Sequence, residues 1–250
     1  MKTLALYSNK GGVGKTAAAV NLSYQAAQVG YRTLICDLDP QSSATYYFRI
    51  KPKIKAGAKG LAKSRKAVDK SIKGTDYDNL DLLPADFSHR RLDIIFDQAK
   101  NSTRRLDKII KPLQTAYDLI ILDCPPSINL LAENIFNLAD LILVPLIPTT
   151  LSERTHRQLL SFFAKKRYDI NKIYAFMSMV DRRKKLHLDL TKAMAQEFAQ
   201  VLQNAVPYAA DVEKMGLQRE PVMVFAPTSK AAAAYRQLWT EVEPYLFSSP

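Results

Sequence analysis

The segment Lys10-Gly11-Gly12-Val13-Gly14-Lys15-Thr16 constrains this chain more than any other feature. It directly follows an apolar run at residues 3–7 and directly precedes a helical pattern over residues 17–29. A glycine-rich turn between a strand and a helix exposes backbone N–H groups that wrap phosphate oxygens, and the helix N-terminus adds its dipole. In such a loop Lys15 reaches the β- and γ-phosphates of a nucleotide and the Thr16 hydroxyl meets magnesium. A strict loop of this type carries glycine at position 9, where this chain has Asn9. In its place a second lysine, Lys10, stands at the loop entrance.

Strand-like and helix-like runs alternate along the rest of the chain. Apolar runs rich in strand formers fall at residues 3–7, 33–36, 80–83, 119–122, 141–146 and 173–180. Several are continuously apolar, as expected of parallel strands covered on both faces. Amphipathic helical patterns lie between them, at 92–99, 104–113, 152–166 and 189–204. The alternation predicts an α/β fold: one doubly wound, mostly parallel sheet with helices on both faces. Residues 1–250 are read as a single domain. Ligands on such sheets bind beyond the carboxyl ends of the strands, where the glycine loop, Asp37 and Asp123 converge.

Charge is distributed unevenly. The 36 basic and 24 acidic residues leave a net charge of +12, a balance that favours a polyanionic partner. Between Arg49 and Lys73 stand ten basic residues and one acid, Asp69, so this stretch carries most of the excess. The segment at about 49–74 is also poor in large apolar residues and is expected at the surface. Two cysteines in 250 residues form no disulfide framework, which suits a reducing cytoplasm. The chain start runs straight into a strand pattern, too short for a signal peptide, and no run of about 18 apolar residues offers a membrane span.

Two further motifs carry carboxylates. Asp37-Leu38-Asp39-Pro40-Gln41 follows the second strand; either it orients water and magnesium near a γ-phosphate or it is an Asp-Pro turn. Leu119-Ile-Ile-Leu-Asp123-Cys124-Pro125-Pro126 ends a buried strand on a carboxylate, which is expensive unless a cation or hydrogen bonds satisfy it. The bland alternative is a turn ahead of Pro125.

Taken together, Lys10 to Thr16, Asp37 to Gln41 and Ile121 to Pro126 resemble the deviant-Walker ParA/MinD family of ATPases in order and spacing. The resemblance continues through Met179-Val-Asp181-Arg-Arg183 and Glu220-Pro-Val to Ala226-Pro-Thr-Ser-Lys230-Ala-Ala-Ala-Ala-Tyr235, over essentially the whole chain. With no DNA-binding extension ahead of the loop, it is similar to the small ParA proteins. The resemblance implies ATP and Mg2+ as ligands. Gly11, Gly12, Val13, Gly14, Lys15, Thr16 and Ala17 would hold the phosphates. Thr16, Asp37 and Asp123 would serve the metal, and Asp39 would position the hydrolytic water. Lys10 would reach across an ATP-sandwich dimer to phosphates of the other subunit. The loops at Asp181 and Pro207 would contact the adenine base. Arg183, with Arg182, Lys184 and Lys185, would meet DNA nonspecifically. Partners implied are a second copy of the chain, nucleoid DNA, and a ParB-like or cargo-adaptor activator. Turnover without that activator is expected to be slow, because no arginine finger is evident.

The chain also departs from the family. Asp211 stands where relatives often have a DNA-contacting arginine, so one DNA contact is expected to be missing. The lysine-rich stretch after Arg49 is expected to supply replacement DNA contacts or to dock an acidic partner. His89, His156 and His187 are scattered and suggest no zinc site. A MinD-like membrane-associated division regulator is the alternative function. It would need a basic amphipathic tail, whereas residues 235–247 include Glu241, Glu243 and Pro244 and are read as core packing. An iron–sulfur ATPase would need solvent-facing cysteine pairs, whereas Cys36 and Cys124 fall at buried strand ends.

Overall fold

Strand β1 (Lys2–Leu6) is apolar along its length and buried beyond Lys2, so it can only lie inside a sheet covered on both faces. In the computed structural model, which describes residues 1–54 and 57–247 apart from the Lys63 side chain, it does so. Lys55 lies outside the described residues. After β1 come α1 (Lys15–Gln28), β2 (Thr33–Asp37), α2 (Ser43–Tyr47), α3 (Gly57–Lys63), α4 (Arg65–Ser71), β3 (Lys73–Gly74) and β4 (Leu80–Leu83). The chain continues through α5 (Leu92–Asp97), α6 (Arg105–Ile110), β5 (Leu119–Asp123), α7 (Leu130–Leu138), β6 (Leu141–Leu146), α8 (Thr150–Lys166) and β7 (Ile173–Met177). The last elements are α9 (Lys185–Glu197), α10 (Ala210–Gln218), α11 (Val222–Phe225) and α12 (Lys230–Phe247).

The strands form a seven-stranded sheet in the order β3-β4-β2-β5-β1-β6-β7. All pairs are parallel except β3, which runs antiparallel to β4. This is the predicted α/β architecture with one short antiparallel edge. On one face, α1 brings Ala18, Ala19, Leu22 and Ala26 against α12, whose Leu238, Trp239 and Val242 are fully buried. The apolar side of the last described helix therefore packs into the core, as its spacing predicted. On the other face, Phe96, Ile110, Ile135 and Phe163 from α5 to α8 cover Ile120, Leu122 and Ile142 of the sheet.

Three expectations are corrected by tertiary contacts. The run at 173–180 ends as a strand at Met177, because Met179 turns into the left-handed region (φ 55°). The helix expected at 189–204 starts earlier, at Lys185, and stops at Glu197. The free outer edge of β7 claims the residues that follow: Leu202 N–H donates to the Ala175 carbonyl at 2.7 Å and Val206 N–H to the Met177 carbonyl at 2.8 Å. The lysine-rich segment keeps Lys53, Lys59, Lys66, Lys70 and Lys73 exposed, yet it also packs. Ile54, Ala58, Leu61 and Val68 are buried in the same cluster as α5 and α6, leaving those lysines on the outer side.

Cys36 and Cys124 are buried and free. The three histidines lie apart, and His156 on α8 is buried with Nδ1 lacking any hydrogen-bond partner and its ring edge-on to Phe198. Burial, with Arg157 adding to it, pushes His156 down to about 4 from the usual value near 6.5. The unfolded chain therefore binds a proton between pH 6.5 and 4 that the folded chain refuses, so His156 carries no penalty above that window and costs stability as pH falls through it. Asp37 and Asp123, whose carboxyls are raised by burial, act in the opposite sense over the same range. Comparison with His156→Leu isolates the histidine. Relative to the wild type, urea denaturation should show the variant gaining about 3 kcal/mol between pH 7 and pH 4. A difference independent of pH would reject the assignment.

Candidate nucleotide site

Helix α1 opens without a cap. Gly14 precedes it in the left-handed region (φ 94°), no side chain accepts from its first N–H groups, and its first turn holds no acid. Uncapped N–H groups at a helix start form an anion site. Gly12 also takes positive φ (69°), and a loop with turns of this kind can gather its backbone N–H groups into an anion-binding concavity. Gly14 is needed for space as well: a Cβ there would sit 2.8 Å from the Ser178 hydroxyl, which presses on the loop from the end of β7. Ser8 Oγ accepts from the Lys10 amide at 3.2 Å, and Lys15 Nζ donates to the Lys10 carbonyl across the loop at 2.9 Å. Lys15 is buried, and burial lowers its pKa against the opposing pull of Asp123, Cys124 and Asp39.

Strand register assembles the carboxylates. Asp37 ends β2 and Asp123 ends β5, and the parallel pairing sets the two directly abreast. Leu6, at the end of β1 just before the loop, pairs with Asp123 on its other side. Asp37 is fully buried and well provided for: the Thr45 amide and hydroxyl both donate to Oδ2, at 2.8 and 2.7 Å, and the Asp39 amide donates to Oδ1 at 3.2 Å. Burial nevertheless raises its carboxyl to about 6. Asp123 is equally buried, and neither of its oxygens has a partner of hydrogen-bonding geometry. Burial and the neighbouring Asp37 raise it well above the carboxylate range, with Thr16 and Lys15 beside it pulling the other way. An unpartnered buried carboxylate is costly, and a divalent cation supplies what it lacks. The residues present, Asp123 with Asp37 abreast and Thr16 close by, fit magnesium.

Asp39 is half-buried on the turn after β2, where its Oδ1 caps the Gln41 amide at 2.9 Å. Lys10 is half-buried, and its ammonium pairs with no carboxylate among the described residues. Pro207 lines a narrow cavity of about 50 Å3 beside the loop, together with Gly14, Ser178, Met179, Tyr208 and Tyr235. Val180 and Pro207 pair as a parallel bridge, which brings the two loops together. Asp181 does not line that cavity; its carboxylate takes Arg183 Nε and Nη2, both at 2.9 Å, and falls to about 2. Arg182, Lys184 and Lys185 are exposed, and Asp211 sits with Glu213 in the first turn of α10.

Thr45 and Ser178 were not marked by any motif. Thr45 lies eight residues beyond Asp37 in a five-residue helix, and only the folded chain shows that its Oγ1 both donates to Asp37 and accepts from the Ala85 amide at 3.0 Å. Thr45→Val keeps the volume and removes both bonds. Chemical denaturation should report a loss of about 2 kcal/mol, the worth of one charge-assisted hydrogen bond plus an orphaned amide. A loss under about 0.5 kcal/mol would show the hydroxyl to be dispensable.

A phosphate-type loop, uncapped helix and paired strand-end aspartates on a parallel sheet define a P-loop nucleotide-binding protein. A family model described as an AAA domain (AAA_31) matches residues 1–176. The sporulation initiation inhibitor protein Soj of Bacillus subtilis is 28% identical over 247 residues, covering 96% of this chain and 98% of Soj. The chromosome partitioning protein ParA of Caulobacter vibrioides is 28% identical over 97% of this chain and 94% of its own. Among solved structures, cobyrinic acid a,c-diamide synthase from Mycobacterium smegmatis, with bound ADP and magnesium, superposes with a TM-score of 0.81 at 23% identity, covering 98% of this chain and 95% of that one. The chain belongs to the ParA/Soj family of ATPases.

Proposed function

We propose that this chain is an ATP-driven positioning ATPase. Two copies close on ATP, bind DNA without sequence preference, and part after hydrolysis stimulated by a ParB-like or cargo-adaptor protein. The cycle distributes a plasmid, a chromosome or a large protein cargo over the nucleoid. Family membership and the partition relatives support the outline. No helix among the described residues is long and apolar enough to cross a membrane.

In this reading the amides from Gly11 to Ala17 hold the phosphates and Lys15 neutralises them. Pro207 and the Asp181 loop flank the base. Thr16, Asp37 and Asp123 serve magnesium, which when bound neutralises phosphate charge. Burial raises the Asp123 carboxyl, and a bound cation would favour its ionised form. Asp39 Oδ1 is held by the Gln41 amide, which leaves Oδ2 to orient a water and take its proton.

One observation carries the switch: Lys15 is turned inward onto the Lys10 carbonyl, while the Lys10 ammonium finds no carboxylate partner within its own protomer among the described residues. A cation so placed can answer phosphate charge from a second copy, which makes association depend on the γ-phosphate. Lys10→Ala should keep nucleotide affinity within about threefold of the wild type, since the Lys10 carbonyl that anchors Lys15 remains. It should stay monomeric in light scattering with a non-hydrolysable ATP analogue. A dimer that survives the substitution would refute the role of Lys10 across the interface.

A further inference from the structure

Helix α4 is anchored on its inner side by Val68, which is buried, and starts at Ser64, whose hydroxyl accepts from the Ala67 amide. Lys66 and Lys70 stand one turn apart on it, and residues so spaced share a face. Lys73 from β3 and Lys53 from the chain before α3 face the same space. The four side chains and the small residues Ser64, Ala67 and Ser71 line a cleft of about 600 Å3 with no carboxylate among the described residues. Asp69, the lone acid of the segment, is engaged by Arg65 through an i,i+4 pair. Among the described residues, no carboxylate pairs with any of the four lysines.

The cleft continues. Through Ser64 it adjoins a second, of about 260 Å3, holding Arg65, Arg105 and Lys108. Through Arg105 that one adjoins a third, of about 500 Å3, holding Lys59 and Arg91. Among the described residues, no acid lines any of the three. Like charges gathered into one concave track repel one another, and a polyanion relieves that repulsion.

We propose that this lysine track at the β3–β4 edge is the surface that holds the phosphate backbone of DNA, in place of the Arg182–Lys185 cluster. The proposal rests on the nonspecific DNA binding inferred above. Two observations favour a nucleic acid over an acidic protein. Among the described residues, the four-lysine cleft at the head of the track is lined by no apolar side chain larger than Ala67, and Ile94 and Ile95 enter only in the third cleft, whereas protein partners are anchored by buried aromatic or aliphatic groups. Its cations are all lysines, compact point charges suited to phosphate contacts that carry no sequence information. At the other cluster, Arg183 is already held by both oxygens of Asp181 and must give up that pair to meet a phosphate. The track lies four strands from β1, about 20 Å at the usual strand spacing, so DNA and nucleotide do not compete for space.

Binding of a short fluorescent duplex of arbitrary sequence, with ATP and magnesium and across a salt titration, tests the assignment. The variant K53Q/K66Q/K70Q/K73Q removes the charges while glutamine keeps the helix propensity of lysine. With about 0.9 units of salt slope per phosphate contact, losing four flattens the slope by about 3.6, roughly a hundredfold less sensitivity between about 50 and 200 mM salt. The double variants K66Q/K70Q and K53Q/K73Q should each remove about half of that slope. Nucleotide affinity and melting temperature should match the wild type in all three. A quadruple variant that keeps the wild-type slope, while R182Q/K184Q/K185Q loses it, overturns the proposal and leaves DNA binding standing. A wild type that binds no duplex overturns both. Polyglutamate bound by the wild type and lost in the quadruple variant, with duplex affinity unchanged, assigns the track to an acidic protein and likewise overturns it.

Discussion

Lys15→Ala should lose ATP affinity by about a hundredfold or more, the equivalent of the roughly 3 kcal/mol that a strong charge-assisted hydrogen bond contributes. The same substitution should leave the ligand-free protein nearly as stable as the wild type. Lys15 is buried, and its burial already disfavours the charged ammonium. The contact it gives up in the ligand-free protein is a single hydrogen bond, from its ammonium to the Lys10 carbonyl. Calorimetric titration should therefore show the loss of binding, while the melting temperature without nucleotide stays within about 4 °C of the wild type. A variant that binds ATP normally would remove Lys15 from the site. One that unfolds would mean that its bond to the Lys10 carbonyl holds the loop.

Asp39→Ala should cut ATP turnover by a hundred- to ten-thousandfold, the usual worth of a positioned proton acceptor. ATP and magnesium binding should survive. The geometry makes this separation possible: Asp39 supports Asp37 through its backbone amide, at 3.2 Å, and alanine keeps that amide. What is lost is the carboxylate, including its hold on the Gln41 amide. The expected product is a dimer that persists with ATP. Single-turnover hydrolysis measured beside equilibrium binding distinguishes the outcomes. Parallel losses in both would make Asp39 part of the binding site, and normal hydrolysis would remove it from the chemistry.

Much of the fold could be read from residue patterns alone. The parallel strands are apolar for their whole length because helices cover both faces of the sheet, so β1, β2, β4, β5 and β6 fall within a residue of their expected limits. The misjudged ends have different causes. The 173–180 strand stops where Met179 turns left-handed, and the 189–204 helix is cut short where the outer edge of β7 captures residues 200–207 as backbone partners. Periodicity does not report which residues a distant strand edge will recruit. The lysine-rich segment was hidden for a related reason: small residues such as Ala58 and Ala62 contribute to the core without producing a conspicuous apolar run.

The nucleotide loop was determined by the sequence by itself, because glycines, lysine and threonine within seven residues specify their geometry through local backbone conformation. Lys10 in place of a glycine-bearing entrance was equally visible. The tertiary structure decided everything that joins residues far apart in the chain. Strand register put Asp37 abreast of Asp123. The fold gave Thr45 to Asp37 and left Asp123 without a donor. It also gathered lysines from α4, β3 and the chain before α3 into one track. A local motif is written in neighbouring residues; a partner for a buried charge exists only once packing has chosen it.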